Sequence, residues 1–136
     1  MRVSIILPLA SDERRIRYVE DVRELFGELG HGRLERCGFA YLDPEWRLLG
    51  TRLTDPGDVD HVTVPIRAVI GDVVAFGARA MVMVHNHTNG DPRPSEIDLA
   101  MTRRLATALD AIDARLVDHV VLAGDRYASM RDMGLL

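Results

Sequence analysis

A single cysteine, Cys37, means that no disulfide can form within this chain. That fits a reducing compartment. Long hydrophobic runs are also missing. The apolar stretch from Val3 to Leu9 is too short to span a bilayer and is not followed by a cleavage site. The stretch from Val73 to Val84 is too short as well, and it contains Arg79. The expectation is a cytoplasmic protein with no membrane partner. Positive charge is not in excess: 17 basic residues stand against 21 acidic ones, for a formal net charge of −4. That balance leaves nucleic acid as a partner without support, because phosphate binding needs a local surplus of basic side chains. Arg14, Arg15 and Arg17 form one small cluster, expected on the solvated face of a helix. The chain has no Pro-Cys-x-x-Cys ligand pair, which argues against a zinc deaminase. Neither a basic groove nor a carboxylate cluster suited to two hard cations is evident, which argues against a two-metal nuclease.

What is present is an ordinary globular composition, 47% hydrophobic and 28% charged over 136 residues. That is enough for one domain, residues 1–136, with its own core. No repeat, linker or low-complexity tract divides it. Val3 to Leu7 reads as a short strand ended by Pro8. Ser11 is placed to cap a helix over residues 12–29, whose stripe is Ile16, Val19, Val22, Leu25, Phe26 and Leu29. Gly30 and Gly32 stop it. A hairpin follows, with arms over 34–42 and 46–53 and a turn at Asp43-Pro44-Glu45. On its first arm Glu35, Cys37, Phe39 and Tyr41 share one face, and Leu34, Arg36, Gly38, Ala40 and Leu42 the other. After a polar loop that contains His61, Val62 to Val64 is extended. Pro65 and Gly77 then bracket a helix over 66–76.

Ala80 to Val84 is a continuous apolar run, as in a central strand covered on both faces. A loop over 86–94 leads into a helix from Ser95 to about Ala111, with the stripe Ile97, Met101, Leu105, Leu109 and Ile112. Arg115 to Ala123 is another strand, Gly124-Asp125 a turn, and 130–136 about one helical turn. Strands alternating with helices predict an α/β layered domain, and the early hairpin makes its sheet mixed.

The chemistry concentrates between His85 and Asp98. His85 and His87 lie at the end of the central strand, where residues i and i+2 point to one face and offer two imidazoles to one ion. A catalytic zinc uses three protein ligands plus water. Asp98, in the first turn of the next helix, is the nearest carboxylate to complete the set, although Ser95 and Asp98 also fit a capping box. One Zn2+ held by His85, His87 and Asp98 lowers the pKa of its water and polarises a substrate carbonyl. A general base must take the proton of that water, and Glu35, facing the core from a neighbouring strand, is the candidate. Glu45, Asp91 and Glu96 fall in turns or at an exposed helix start. The Ser95 hydroxyl can serve as a donor to a developing oxyanion. Asp118-His119 either orients a ligand imidazole or satisfies local backbone at a strand end.

These residues resemble the signature of the JAB/MPN metalloprotease (JAMM) family: an upstream Glu, then H-x-H, seven residues, Ser, two residues and Asp. His85-x-His87, residues 88–94, Ser95 and Asp98 match it without a gap. Within that family the chain is most similar to the RadC-type branch. The block Gly90-Asp91-Pro92-x-Pro94-Ser95-x-x-Asp98, Thr102, Asp118-His119-Val120-Val121 and the ending Ser129 to Leu136 carry that similarity over roughly residues 33–136. The resemblance implies a cytidine-deaminase-like three-layer α/β/α sandwich, a zinc site and a metallopeptidase acting on peptide or isopeptide bonds. Two features depart from it. Thr88-Asn89 stands where the branch usually has Pro-Ser, and residues 1–32 form a divergent strand and helix in place of a DNA-binding-like region. The expected partner is therefore a protein or peptide substrate. The alternative is a metal-containing, non-catalytic binding module for a protein or nucleic-acid partner. Substrate identity and oligomeric state are not legible here.

Overall fold

The structure is a computed structural model that describes residues 3–6, 14–57 and 64–136. The Ser11 cap, His61 and the first residues of the extended piece at Val62 lie outside the described residues. Six strands form one sheet: β1 (Val3–Ile6), β2 (Cys37–Leu42), β3 (Leu48–Thr54), β4 (Ala80–Asn86), β5 (Arg115–Ala123) and β6 (Arg126–Ser129). Their order is β1-β3-β2-β4-β5-β6. Only β4 and β5 pair in parallel, so the sheet is mixed as expected.

Three helices cover it: α1 (Val19–Phe26), α2 (Ile66–Phe76) and α3 (Glu96–Asp110). On one face Phe39, Tyr41, Met81 and Met83 of the sheet pack with Val69 and Val73 of α2 and Leu105 and Leu109 of α3. On the other, Ala40, Leu42, Val82 and Val84 pack with Val19, Val22 and Phe26 of α1. This is a three-layer α/β/α sandwich, built from strand residues that alternate between two buried faces. Among the described residues no helix is long and apolar enough to cross a membrane.

Local signals set several element ends. Gly77 closes α2 in the left-handed conformation at φ 64°, where its lack of a Cβ removes the strain. Ser95 caps α3: its Oγ accepts from the Asp98 N–H at 3.0 Å, and the Asp98 carboxylate accepts from the Ser95 N–H at 2.8 Å.

Two expected elements come out shorter. The first helix begins at Val19, not residue 12, and ends in a 3-10 turn over Gly27–His31. The backbone ahead of it is spent elsewhere. The Leu48 N–H donates to the Arg14 carbonyl at 2.8 Å and the Ile16 N–H to the Trp46 carbonyl at 3.0 Å, so this segment runs extended against the hairpin turn. Arg15 and Arg17 are exposed there, on extended chain rather than on a helix. The Asp21 carboxylate then receives the Arg17 and Tyr18 N–H groups and starts the helix. The first hairpin arm likewise becomes a strand only at Cys37, which leaves Leu34, Glu35 and Arg36 outside the ladder.

Candidate metal centre

The parallel pair β4–β5 sits in the middle of the sheet, and the chain leaves β4 at its carboxyl end carrying His85 and His87. His85 is buried on the face shared with α2 and α3. The His87 N–H donates to the Leu122 carbonyl at 2.8 Å, which prolongs the β4 direction past Asn86. The loop then turns back through side-chain caps. The Asn89 side chain accepts from the Asp91 N–H at 3.0 Å, and the Asp91 side chain from the Arg93 N–H at 3.0 Å. Asn89, one of the two departures from the usual branch sequence, thus supplies a turn-forming oxygen. The loop delivers α3 so that Asp98 faces the histidines.

The three side chains converge. His87 Nε2 lies 2.9 Å from Asp98 Oδ2, and His85 Nε2 lies 3.3 Å from Asp98 Oδ1. The ligand atoms of all three residues lie within 4.8 Å of one another. His87 Nδ1 is 2.7 Å from the Asp91 carbonyl, which can only accept, so Nδ1 carries the proton. In neutral His87 the Nε2 lone pair therefore points at the carboxylate. His85 Nε2 is buried and, among the described residues, has no hydrogen-bond partner. Two imidazole nitrogens and a carboxylate facing one point repel unless a cation sits among them. Donors of this kind suit a borderline divalent ion such as zinc. His85, His87 and Asp98 are a group able to hold a metal ion.

Electrostatics agree. Burial opposes the Asp98 charge, but its close contacts with His85 and His87 outweigh it and hold its carboxyl far below the usual range. The same hydrogen bond to Asp98 raises the His87 pKa against the opposing effect of burial. Asp98 fills both roles weighed for it, since its Oδ2 completes the capping box while its carboxylate faces both histidines.

Glu35 is buried, at 7% exposure, although it lies ahead of β2 and not within it. Its charge acts on both Cys37 and His87, so it lies near both. The Cys37 thiol, fully buried and paired across from His85 in the strand register, is pushed up by that burial and then by Glu35 and Asp98. Ser95 is exposed and its Oγ is an acceptor in the cap. Asp91, weighed and set aside as a base, is held down to about 2 by its hydrogen bonds with Arg93.

Three residues beside the centre stand outside the ligand group, and one of them, His119, belongs to the pair expected either to orient a ligand imidazole or to satisfy local backbone. Asn86, the residue between the histidines, points to the opposite side of β4. Its Oδ1 accepts from the Arg36 N–H at 2.7 Å and its Nδ2 donates to the Leu34 carbonyl at 3.0 Å. One carboxamide thus grips the backbone on both sides of Glu35. The other two are Thr102 and His119. His119 Nε2 lies 2.6 Å from His85 Nδ1, and His119 Nδ1 lies 2.6 Å from Thr102 Oγ1. Asp118, next to His119, does something else. It accepts from the Ser129 hydroxyl at 2.6 Å and the Arg131 N–H at 3.0 Å, which ties down the C-terminal turn.

The RadC-like JAB domain family matches residues 16–135, a span that takes in α1 as well as the hairpin and everything after it. The chain belongs to the RadC-like JAB domain family. A UPF0758 protein of Bordetella avium is 35% identical over 122 residues, covering 89% of this chain and 54% of the relative. A UPF0758 protein of Carboxydothermus hydrogenoformans is 33% identical over 104 residues, covering 76% of this chain and 46% of the relative. One of Bordetella pertussis is 35% identical over 108 residues, covering 79% and 48%. The chain spans about half the length of the curated relatives it matches. Their names state no activity, so the chemistry has to be argued from the RadC-like site itself.

Proposed function

We propose that this RadC-like JAB domain is a zinc-dependent hydrolase of peptide or isopeptide bonds. The observation that carries the reading is the buried Nε2 of His85 facing the Asp98 carboxylate beside His87, with a buried glutamate whose charge reaches His87. His85, His87 and Asp98 hold the ion. When bound, zinc supplies a Lewis acid for the substrate carbonyl and lowers the pKa of water.

The rest is done by the protein's own groups. Glu35 is the general base. Its carboxylate takes a proton from the attacking water and, then acting as an acid, returns it to the nitrogen of the leaving amine. Burial of Glu35 beside Cys37 keeps bulk water from competing for that proton. The Ser95 Oγ accepts from the Asp98 N–H, so its own proton is available to donate to the oxyanion that develops on the carbonyl. One residue thus caps α3 and contributes to catalysis without conflict.

Glu35→Gln keeps the size of the side chain and removes its basicity. The expected result is full zinc content by elemental analysis and hydrolysis of peptide and isopeptide substrates lowered by about 10²–10⁴-fold. Undiminished hydrolysis by this variant sinks the mechanism. Wild-type protein that takes up zinc but turns over no peptide or isopeptide substrate favours a binding module instead.

A further inference from the structure

Four groups run in a buried line away from the metal centre: His85 Nδ1, His119 Nε2 and Nδ1, Thr102 Oγ1 and the Asp98 carbonyl. His85 and His119 are fully buried and Thr102 is 2% exposed. Each link is 2.6 Å long, so each gap holds one proton.

The positions of those protons follow from one end. The Asp98 carbonyl has none, so the Thr102 hydroxyl donates to it. The hydroxyl proton is then used, and Thr102 Oγ1 must accept from His119 Nδ1–H. Neutral His119 is left with a lone pair at Nε2, which accepts from His85 Nδ1–H. Neutral His85 is left with a bare Nε2, the atom that faces Asp98 Oδ1 without a hydrogen bond. With both rings neutral, any other arrangement sets two protons or two lone pairs against each other across 2.6 Å.

We propose that His119 and Thr102 are positioning residues that lock His85 in the Nδ1–H tautomer and aim its Nε2 lone pair at the metal. Ligand histidines are usually oriented by a carboxylate, a backbone carbonyl or water. Here a second imidazole stands between the ligand and the carbonyl, and the line ends on the backbone of another ligand, Asp98. Asp98 and Thr102, one turn apart on α3, are thereby tied to one site.

The backbone is shaped for this contact. Between β4 and β5, Met81 pairs with Leu116 but Val82 pairs with Asp118, so Val117 is an extra residue in a β-bulge. Without it, His119 would pair with Val84, whose side chain packs in the α1 layer. With it, His119 pairs with Met83, whose side chain packs in the α2–α3 layer below His85.

This inference rests on the metal reading, and its test separates the two. Thr102→Val keeps the shape but lets His119 place its proton on Nε2, which forces His85 into the tautomer with a proton where the metal binds. The zinc affinity of the full chain, measured by competition with a chromophoric chelator, is expected to fall about 10–100-fold in Thr102→Val. Thr102→Ser, which keeps the hydroxyl, is expected to retain it. Long-range proton–nitrogen NMR of the zinc-free wild type is expected to show His85 protonated at Nδ1, a readout that needs no variant to fold. A folded Thr102→Val that binds zinc as tightly as the wild type overturns the inference alone, and so does a His85 protonated at Nε2 in the wild type. A wild-type chain that takes up no zinc overturns the metal reading together with it.

Discussion

Asn86 shows how one side chain joins the two halves of the site. His85 and His87 point to one face of β4, so the residue between them points to the other. There its carboxamide closes both hydrogen bonds around Glu35, to the Leu34 carbonyl and the Arg36 N–H. The Gly57 N–H adds a third, to the Glu35 carbonyl at 2.8 Å. The peptide before β2 is thus held to the strand that carries the ligands, although neither segment is in a ladder with the other at that point. Asn86→Ala removes two part-buried hydrogen bonds, at a cost of ~0.5–1.5 kcal/mol each. The expected variant is less stable in urea, keeps its zinc, and loses hydrolysis because Glu35 is no longer held. Asn86→Asp still accepts from Arg36 but cannot donate to Leu34, so its activity should fall between Ala and wild type. Equal activity in all three would show that the clamp does not position the base.

At the scale of elements, α2 is held to the sheet by more than its apolar stripe. Asp72 on α2 is buried at 6% exposure, and its Oδ2 accepts from the Tyr41 hydroxyl of β2 at 2.6 Å. Arg52 of β3, also buried, reaches it through Nε to Oδ2 and through Nη2 to Oδ1 at 2.8 Å. Burial, then the bond to Asp72, pushes the Tyr41 hydroxyl upward, so it stays protonated and donating. Among the described residues Arg52 Nη1 has no partner, and Asp72 is the carboxylate that faces the cation. Asp72→Ala strands that buried charge and is expected to lower unfolding free energy by about 3–5 kcal/mol in urea titrations, without altering zinc content. A loss below 1 kcal/mol, of the size typical of surface pairs, would contradict the burial argument. The pair was not visible in the residue pattern, because an Asp in an amphipathic helix reads as solvated until a strand partner is known. The same distinction separates what was legible from what was not. Pro65 and Gly77 act on their own backbone, and the helix between them has the expected bounds. The spacing from His85 to Asp98 is set by one strand end, one capped turn and one helix start, all local, so the ligand group could be found. The start of α1 could not, since the backbone of residues 14–16 is bound by a hairpin turn some thirty residues away. The stripe assigned to α3 also shifts: Ile97 is 60% exposed, while Asp98 and Thr102 join Leu105 and Leu109 inside. The Val117 bulge lies in a strand buried on both faces, so no alternation in the sequence marks the extra residue.

For the molecule as a whole, the proposed metal centre would couple pH, metal and stability, because His85 and His87 lie at the end of β4 and Asp98 at the start of α3. In the zinc-free chain, the hydrogen bond to Asp98 raises the His87 pKa above its ordinary 6.5. A group raised on folding contributes stability that is complete below the unfolded value and is lost as pH rises through the folded value. Asp98 is held far below the usual carboxylate range, so it stays ionised throughout and does not blur this window. Zinc has the opposite dependence. Proton and metal compete for His87 Nε2, so zinc binds more tightly as pH rises through the same interval. At a free zinc concentration 100 times Kd, binding adds about 2.7 kcal/mol. For a chain of this size that is roughly 10 °C in Tm. The difference in Tm between zinc-loaded and chelator-treated protein is therefore expected to be small near pH ~5.5 and to widen to about that size near pH ~8. Differential scanning calorimetry on the same preparation at both pH values measures it. His87→Gln removes the titrating ligand, and its Tm should respond neither to chelator nor, through this group, to pH. A wild-type gap that is constant or narrower at the higher pH would mean that His87 is not where metal and proton compete, and that the ion is held elsewhere.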